Sequence, residues 1–332
     1  MNKKVLRQFN STNAAYILQN MIIPTDVNII EPFAGNGDLV TWVNRHCETY
    51  DIDPTKKHIV RDCLMNPPSY KNKFILTNPP YLARNKSCSK IIYDKWKTND
   101  LYKCFIKSFI KDVPIGVLMI IPIGFLCSIR EADVELRELL FNNFTVERIN
   151  IFEEQVFDDT SCAICSILLK QYKNLCDSVS FNVQVYPSKK EYTWTLEKKY
   201  KWLLGGSIYT KLHNYKISRS VDTIPNTNLH LYALDSGKNK HTIKLEYTPG
   251  KIYKSKSSSR TEATIHIEGI TLTPSQQIIL ADKFTTYINE NRDKYCSMFL
   301  TTYRENTRKR ISFNLAYTII GNLLKTELIN IN

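Results

Sequence analysis

Through its first half the chain alternates short apolar runs with stretches of helical spacing, and this alternation constrains the fold more than any other feature. Residues 27–30 read as a buried strand, 49–52 as a short strand, 73–77 (KFILT) as another, 116–121 as a strong central strand, and 145–152 and 162–170 close the series as strands. Residues 38–45, 101–110 and 131–141 read as helices; in the second of these Leu101, Phe105 and Phe109 recur at four-residue intervals, which puts them on one face. Alternation of strand and helix predicts an α/β fold: a mostly parallel sheet with helices on both faces.

After about Lys170 the pattern changes. From Lys189 onward Lys, Tyr, Thr and Ser dominate, with short β-prone pieces such as residues 264–270. One helix start is well marked: Thr273 precedes Pro274, and Gln276 stands three residues after the cap. The boundary therefore falls between residues 171 and 190, giving a first domain over 1–180 and a smaller α+β domain over 181–332. The segment KSKSSSR, residues 254–260, reads as a loop.

The formal charge of +13 must sit largely on the surface and favours a polyanionic partner such as nucleic acid. Membrane insertion is not expected, because residues 115–127, the longest apolar run, are broken by Gly and Pro and too short to span. The nine cysteines show no disulfide spacing. Cys162 and Cys165 form a lone CxxC with no second pair and no nearby histidines, so they read as small buried residues of a strand and no metal is expected. These features together describe a reducing, intracellular protein.

Two stretches carry chemistry. The first strand runs into Glu31-Pro32-Phe33-Ala34-Gly35-Asn36-Gly37. Glycines at a strand-to-helix turn let a ligand approach the backbone, and Glu31 could pair with a ligand ammonium. Asp51 and Asp53, in DIDP at the end of the next strand, stand where carboxylates bind ribose hydroxyls. The second stretch is Asn78-Pro79-Pro80-Tyr81 directly after KFILT. Two prolines hold the chain extended and remove donors, so that carbonyls remain to accept. With the Asn78 side-chain oxygen and the Tyr81 ring, the motif suits a planar group bearing an exocyclic amine. A second copy, NPPS at 66–69, has Ser69 where the aromatic residue should stand, and it reads as a loop before the catalytic strand.

In this order the motifs resemble those of S-adenosylmethionine-dependent amino-methyltransferases, most closely DNA adenine-N6 methyltransferases of the gamma arrangement. The resemblance covers roughly residues 5–170. It implies a Rossmann-like methyltransferase sheet followed by a target-recognition domain. EPFAGNG resembles the cofactor loop (Glu31, Phe33, Ala34, Gly35, Gly37), DIDP the ribose motif (Asp51, Ile52), and VRDC the motif whose acid holds the cofactor adenine (Asp62, Cys63). The leading motif would place Thr12 near the methionine carboxylate, although Asn13 stands where that motif usually has a proline. NPPY resembles the catalytic motif, and VFDDTSCAICSILLK the later motif whose aromatic residue, here Phe157, stacks on the extruded base. The family further implies double-stranded DNA as partner and a cognate endonuclease acting on the same site without a stable complex. A monomer is the favoured state.

Two basic runs in the second domain are candidate DNA contacts: Lys251, Lys254, Lys256 and Arg260 in the first, and Arg304, Arg308, Lys309 and Arg310 in the second. Methyl transfer to RNA adenine or to protein glutamine is the rival reading, and a non-catalytic nucleic-acid-binding module is a further one.

Overall fold

The computed structural model describes residues 13–158, 160–172, 177–220, 226–235, 241–250 and 260–329. The chain divides into two compact units: Met1–Phe125 with Ile129–Trp202, and Leu126–Ser128 with Leu203–Asn332.

In the first unit the described strands are β1 (Asn28–Glu31), β2 (Cys47–Asp51), β3 (Ile59–Val60), β4 (Lys73–Thr77), β5 (Gly116–Pro122), β6 (Phe144–Phe152), β7 (Ile164–Gln171), β8 (Ser178–Tyr186) and β9 (Lys190–Glu197). They form one mixed sheet in the order β3-β2-β1-β4-β5-β7-β6-β8-β9. β1 to β5 pair in parallel; β7 lies antiparallel between β5 and β6. This is a mixed, mostly parallel α/β sheet, as the alternation of strand and helix predicts. Leaving β1 the chain moves one way along the sheet, through α2 (Asp38–Val43, after the short α1 at Ala14–Ile17) to β2. Leaving β4 it moves the other way, through α3 (Ile91–Trp96) and α4 (Leu101–Lys111) to β5. Crossovers leaving in opposite directions, each of the usual right hand, would put helices on both faces.

The core lies at the sheet centre. Phe74, Ile75, Leu76 and Thr77 of β4 are buried, as are residues 116–121 of β5, which explains why these strands read as continuous apolar runs. Gly116 begins β5 because a Cβ there would stand 2.6 Å from the Phe74 ring. α5 (Glu131–Phe141) carries Leu136, Leu140 and Phe141 buried at helical spacing. Cys165 is buried in β7, and Cys162 is half-buried just ahead of it.

The hairpin β8–β9 extends the first sheet: β8 pairs in parallel with β6, and β9 closes antiparallel on β8. The first unit thus runs to Trp202 rather than to residue 180. The signal for this is present in SVSFNVQVY, where Val179, Phe181, Val183 and Val185 alternate inward at the period of a strand.

The second unit is α+β, as the sequence predicts. An antiparallel sheet of β10 (Ile217–Arg219), β13 (Glu262–Ile267), β11 (Leu229–Tyr232) and β12 (Lys244–Tyr247), in that spatial order, packs with α6 (Pro274–Tyr295) and α7 (Phe313–Ile329). Leu231, Ile265, Leu280, Phe284 and Ile320 belong to its core. The Thr273 hydroxyl accepts from Gln276 N while the Gln276 side chain accepts from Thr273 N, the capping box read from the sequence. A buried Arg292–Asp235 pair, two-pronged at 2.8 and 2.9 Å, holds α6 to the segment after β11. A two-stranded ribbon, β14 (Thr302–Glu305) with β15 (Arg308–Arg310), completes the unit.

Candidate active site

The carboxyl ends of β1, β2 and β4 bring the candidate residues together. β1 is the point at which the strand order reverses, and in such sheets the crevice beyond the strand ends is where ligands bind.

Glu31 closes β1 and is 1% exposed. Its Oε1 accepts from the Phe33 amide at 3.0 Å and from the Thr77 hydroxyl at 2.6 Å, while Oε2 is buried with no hydrogen-bond partner among the described residues. Burial pushes the carboxyl up to about 8, against the two hydrogen bonds that pull it down. A buried acid with one unsatisfied oxygen is costly by itself and matches a site that receives a cation. Thr77, which holds Glu31, is the last residue of β4 and immediately precedes Asn78. The same bond thus ties the start of the glycine turn to the start of NPPY.

The turn is shaped by Gly35 and Gly37, at φ +56° and +81°. A Cβ at either would meet no heavy atom closer than 3.9 Å, an ordinary contact distance, so it is the left-handed backbone and not crowding that calls for glycine here. Asp51, at the end of β2 and 2% exposed, braces this turn: Oδ2 accepts from Gly35 N at 2.8 Å, and Oδ1 from Asp53 N at 2.7 Å. The sequence reading assigns Asp51 to ribose, and the structure adds this loop-holding role. Ile52 is exposed next to it. Asp62 Oδ1 accepts from Leu64 N and Met65 N at 3.0 and 2.9 Å, which fixes the carboxylate and leaves Oδ2 for a ligand donor. Cys63 is buried, and burial pushes its thiol up to about 12. Thr12 lies outside the described residues.

In NPPY, Asn78 is half-buried and Pro79, Pro80 and Tyr81 are buried. Among the described residues no donor reaches the Pro79 carbonyl. The Tyr81 hydroxyl stands 2.6 Å from the Asn78 side-chain amide and 2.6 Å from the Ile120 carbonyl. Its ring is 6% exposed and lies edge-on to Tyr102 of α4, with centroids 6.1 Å apart. One turn further along α4, Phe105 packs edge-on against Phe33 of the glycine turn at 5.2 Å. α4 therefore seats both motifs. Phe157 is 4% exposed, in the loop after β6, and the Asn13 side chain donates to the carbonyl of its neighbour Val156 at 3.0 Å. Both rings, Tyr81 and Phe157, are covered in this fold.

The NPPS copy sits in the connection from β3 to β4. The Arg61 guanidinium donates to the Asn66 carbonyl, and Ser69 Oγ and Tyr70 N both donate to Asp112 at the end of α4. Tyr70 is turned into the core against Phe105. This copy forms chain-turning structure.

In the second unit Arg260, Arg304 and Arg308 are exposed and Arg310 is half-buried. Lys309 is 7% exposed with its ammonium 4.4 Å from the centre of the Tyr303 ring, so it is held inside the ribbon and not offered to a phosphate. Lys251, Lys254 and Lys256 lie outside the described residues. Among the described residues, no helix is long and apolar enough to cross a membrane.

Three solved structures illustrate what the chain is similar to. A modification subunit assigned to a type I restriction enzyme from Vibrio vulnificus shares 14% identity over 56% of this chain and 49% of its own, with a TM-score of 0.43. The type IIG restriction endonuclease BpuSI shares 12% over 66% and 36%, at 0.41. The methyltransferase subunit of a type I restriction-modification system from Streptococcus thermophilus shares 13% over 51% and 44%, at 0.39. The chain thus spans about half, or less, of the length of these structures. No curated protein sequence matches it. Residues 38–157, which run from the start of α2 through NPPY to Phe157, match the family model of the Eco57I restriction-modification methylase.

Proposed function

We propose that the chain is a site-specific DNA methyltransferase, moving a methyl group from S-adenosylmethionine to N6 of an adenine flipped out of duplex DNA, within a restriction-modification setting. The observation that carries this reading is one juxtaposition. A buried carboxylate oxygen on Glu31, without a partner among the described residues, adjoins through Thr77 the half-buried Asn78 amide and the Pro79 carbonyl, which no donor of the described residues reaches. The match of residues 38–157 to a restriction-modification methylase family supports it.

The residues present fit the cofactor. Glu31 Oε2 would receive the ammonium of its methionine part, the Gly35–Gly37 turn would admit its backbone, and Asp62 Oδ2 would accept from its adenine amine. Asp51 uses two of its roughly four lone-pair sites on the turn, and we assign ribose hydroxyls to the remainder. When bound, S-adenosylmethionine supplies an already activated methyl group. The protein's task is then to position and polarise the acceptor. An adenine amine is a weak nucleophile because its lone pair is delocalised into the ring. Hydrogen bonds accepted by Asn78 Oδ1 and the Pro79 carbonyl draw the nitrogen toward tetrahedral geometry and stabilise the charge that grows on it. Phe157 would wall the flipped base, whose extrusion costs a few kcal/mol.

RNA adenine and protein glutamine present the same amine to the same acceptors. The exposed arginines 260, 304 and 308 of the second unit favour duplex DNA. The reading carries with it a separate endonuclease of the same site specificity, and it needs no second copy of the chain. Incubation with methyl-labelled cofactor and, separately, duplex DNA, structured RNA and protein tests it. Label should enter DNA, and Asn78→Ala should abolish the transfer while cofactor still binds. Label entering RNA or protein only would replace the substrate assignment.

A further inference from the structure

We propose that the first unit makes its own contact with the DNA backbone, through a basic turn that begins three residues beyond NPPY and takes the phosphates beside the flipped nucleotide. The inference rests on the methyltransferase reading and adds a phosphate-binding surface to it. Residues 84–97 read RNKSCSKIIYDKWK, with five basic side chains and one acidic in fourteen positions. A charge run is most often a solvated face, so the case depends on how each cation is used. Lys90 is turned inward: its ammonium donates to the Arg84 and Ser87 carbonyls and staples the turn. Lys95 donates to the Met65 carbonyl, and Lys97 stands at the far end of α3. Arg84 is held by Asp94, whose Oδ1 accepts from the guanidinium at 2.7 Å, with the two side chains 46% and 62% exposed. That bond uses one of five donors and orients the fork. Asn85 and Lys86 are exposed, and no partner among the described residues takes their side chains.

The backbone beneath these side chains is fixed. The Leu82 carbonyl accepts from the Tyr93 hydroxyl at 2.9 Å and from Leu101 N at 3.2 Å, Arg84 N donates to the Asn99 carbonyl at 2.8 Å, and Ala83 forms an antiparallel bridge with Asp100. Residues 82–84 thus run beside 99–101 at the start of α4, whose Tyr102 packs on Tyr81 and whose Phe105 packs on Phe33. The single 3-10 turn Arg84–Lys86 follows at once, closed by Lys86 N on the Ala83 carbonyl at 2.9 Å. One helix therefore sets the basic turn and the catalytic motif in one frame. Arg84 is separated from Tyr81 by at most ~11 Å of chain. A flipped base stays joined to its sugar and two phosphates, so a base at Asn78 brings both charges within a nucleotide's length of the pocket. A stapled cationic turn at that distance has little conformational freedom left to lose on meeting them. Such contacts carry no sequence information; they set the register of the extruded nucleotide.

Arg84→Gln together with Lys86→Gln removes the two charges. At about 0.15 M salt the dissociation constant for duplex DNA should rise about 10- to 30-fold, and the slope of log affinity against log salt should fall by about 2, at ~0.9 for each lost phosphate contact. The dissociation constant for S-adenosylmethionine should not change, and Lys86→Arg, which keeps the charge, should bind DNA like wild type. Unchanged DNA affinity and slope in the double variant overturn the proposal. The placement is read with the wild-type chain, on a duplex whose phosphates on both sides of the mapped, modified adenine are uncharged methylphosphonates. Wild type should lose affinity by a similar factor, and the double variant should lose little more. Methylphosphonates that leave wild-type affinity unchanged overturn the placement even if the variant fails to fold, as do methylphosphonates that cost the variant as much as they cost the wild type. A wild-type chain that binds DNA but transfers no methyl group would instead refute the methyltransferase reading, and the salt slope of the double variant would still decide whether the turn grips phosphate.

Discussion

Replacing Glu31 with glutamine isolates the feature on which the proposed cofactor binding rests. In the ligand-free fold the carboxyl is raised from 4.5 to about 8 by burial. Between those values it is ionised in the unfolded chain and protonated in the native one. The native state then binds the extra proton, so stability is highest below about 4.5 and falls by about 1.4 kcal/mol per pH unit as pH rises toward about 8. At pH 7 the cost is on the order of 3 kcal/mol. A glutamine side chain at this position would keep an acceptor for Phe33 N and the Thr77 hydroxyl and would not titrate. It leaves a buried NH2 unsatisfied, which returns ~1–3 kcal/mol of that gain. Glu31→Gln should therefore match or exceed wild type by up to ~2 kcal/mol at pH 7 without ligand. The more robust signature is the slope: the difference between variant and wild type should grow by about 4 kcal/mol from pH 5 to pH 8. Urea unfolding at four pH values measures it. With saturating S-adenosylmethionine the order should invert, because only Glu31 can pair with the ligand ammonium. Parallel stability curves for the two proteins, or undiminished cofactor affinity in Glu31→Gln, would refute the reasoning.

Asn78→Ala should lower methyl transfer by about 100- to 1000-fold with cofactor affinity retained, the scale of losing one preorganised polar contact at a reacting centre; Asn66→Ala, in the turn-forming copy of the motif, should transfer methyl at the wild-type rate in the same assay. Arg304→Ala with Arg308→Ala should weaken DNA binding evenly across sequences and reduce the slope of log affinity against log salt by about 1–2, while Lys309→Ala should instead lower the melting temperature, since its ammonium packs on Tyr303. Thr273→Ala removes a capping-box bond and should cost ~0.5–2 kcal/mol in urea unfolding, with no effect on methyl transfer by the first unit.

The strands β4 and β5 are legible in the sequence because they are buried on both faces and read as nearly continuous apolar runs. α5 and the start of α6 are legible because spacing and capping are local. The hairpin β8–β9 escapes because its outward positions carry Ser, Asn, Lys and Thr, the composition of the second unit; membership of a sheet is decided by pairing with β6, which local sequence does not encode. At the site, NPPY and the glycine turn are legible as motifs, since glycine at positive φ and paired prolines have few other uses. What the motifs cannot tell is where their polar atoms are committed. Asp51 looks like a ligand carboxylate in sequence and also braces Gly35; Tyr81 looks like a stacking ring and has its hydroxyl tied between two strands' ends; Lys309 looks like a phosphate contact and is buried. Each is a question of partners distant in the chain, and each changes what a substitution would mean.

Whether Asn78 and Pro79 grip the exocyclic amine of a purine next to the cofactor turn is tested most directly by the modified base itself. Duplex DNA incubated with the protein and S-adenosylmethionine is digested completely to nucleosides and read by mass spectrometry. N6-methyldeoxyadenosine is expected from the wild type and none from Asn78→Ala; N4-methyldeoxycytidine, 5-methyldeoxycytidine or unmodified DNA from the wild type would contradict it.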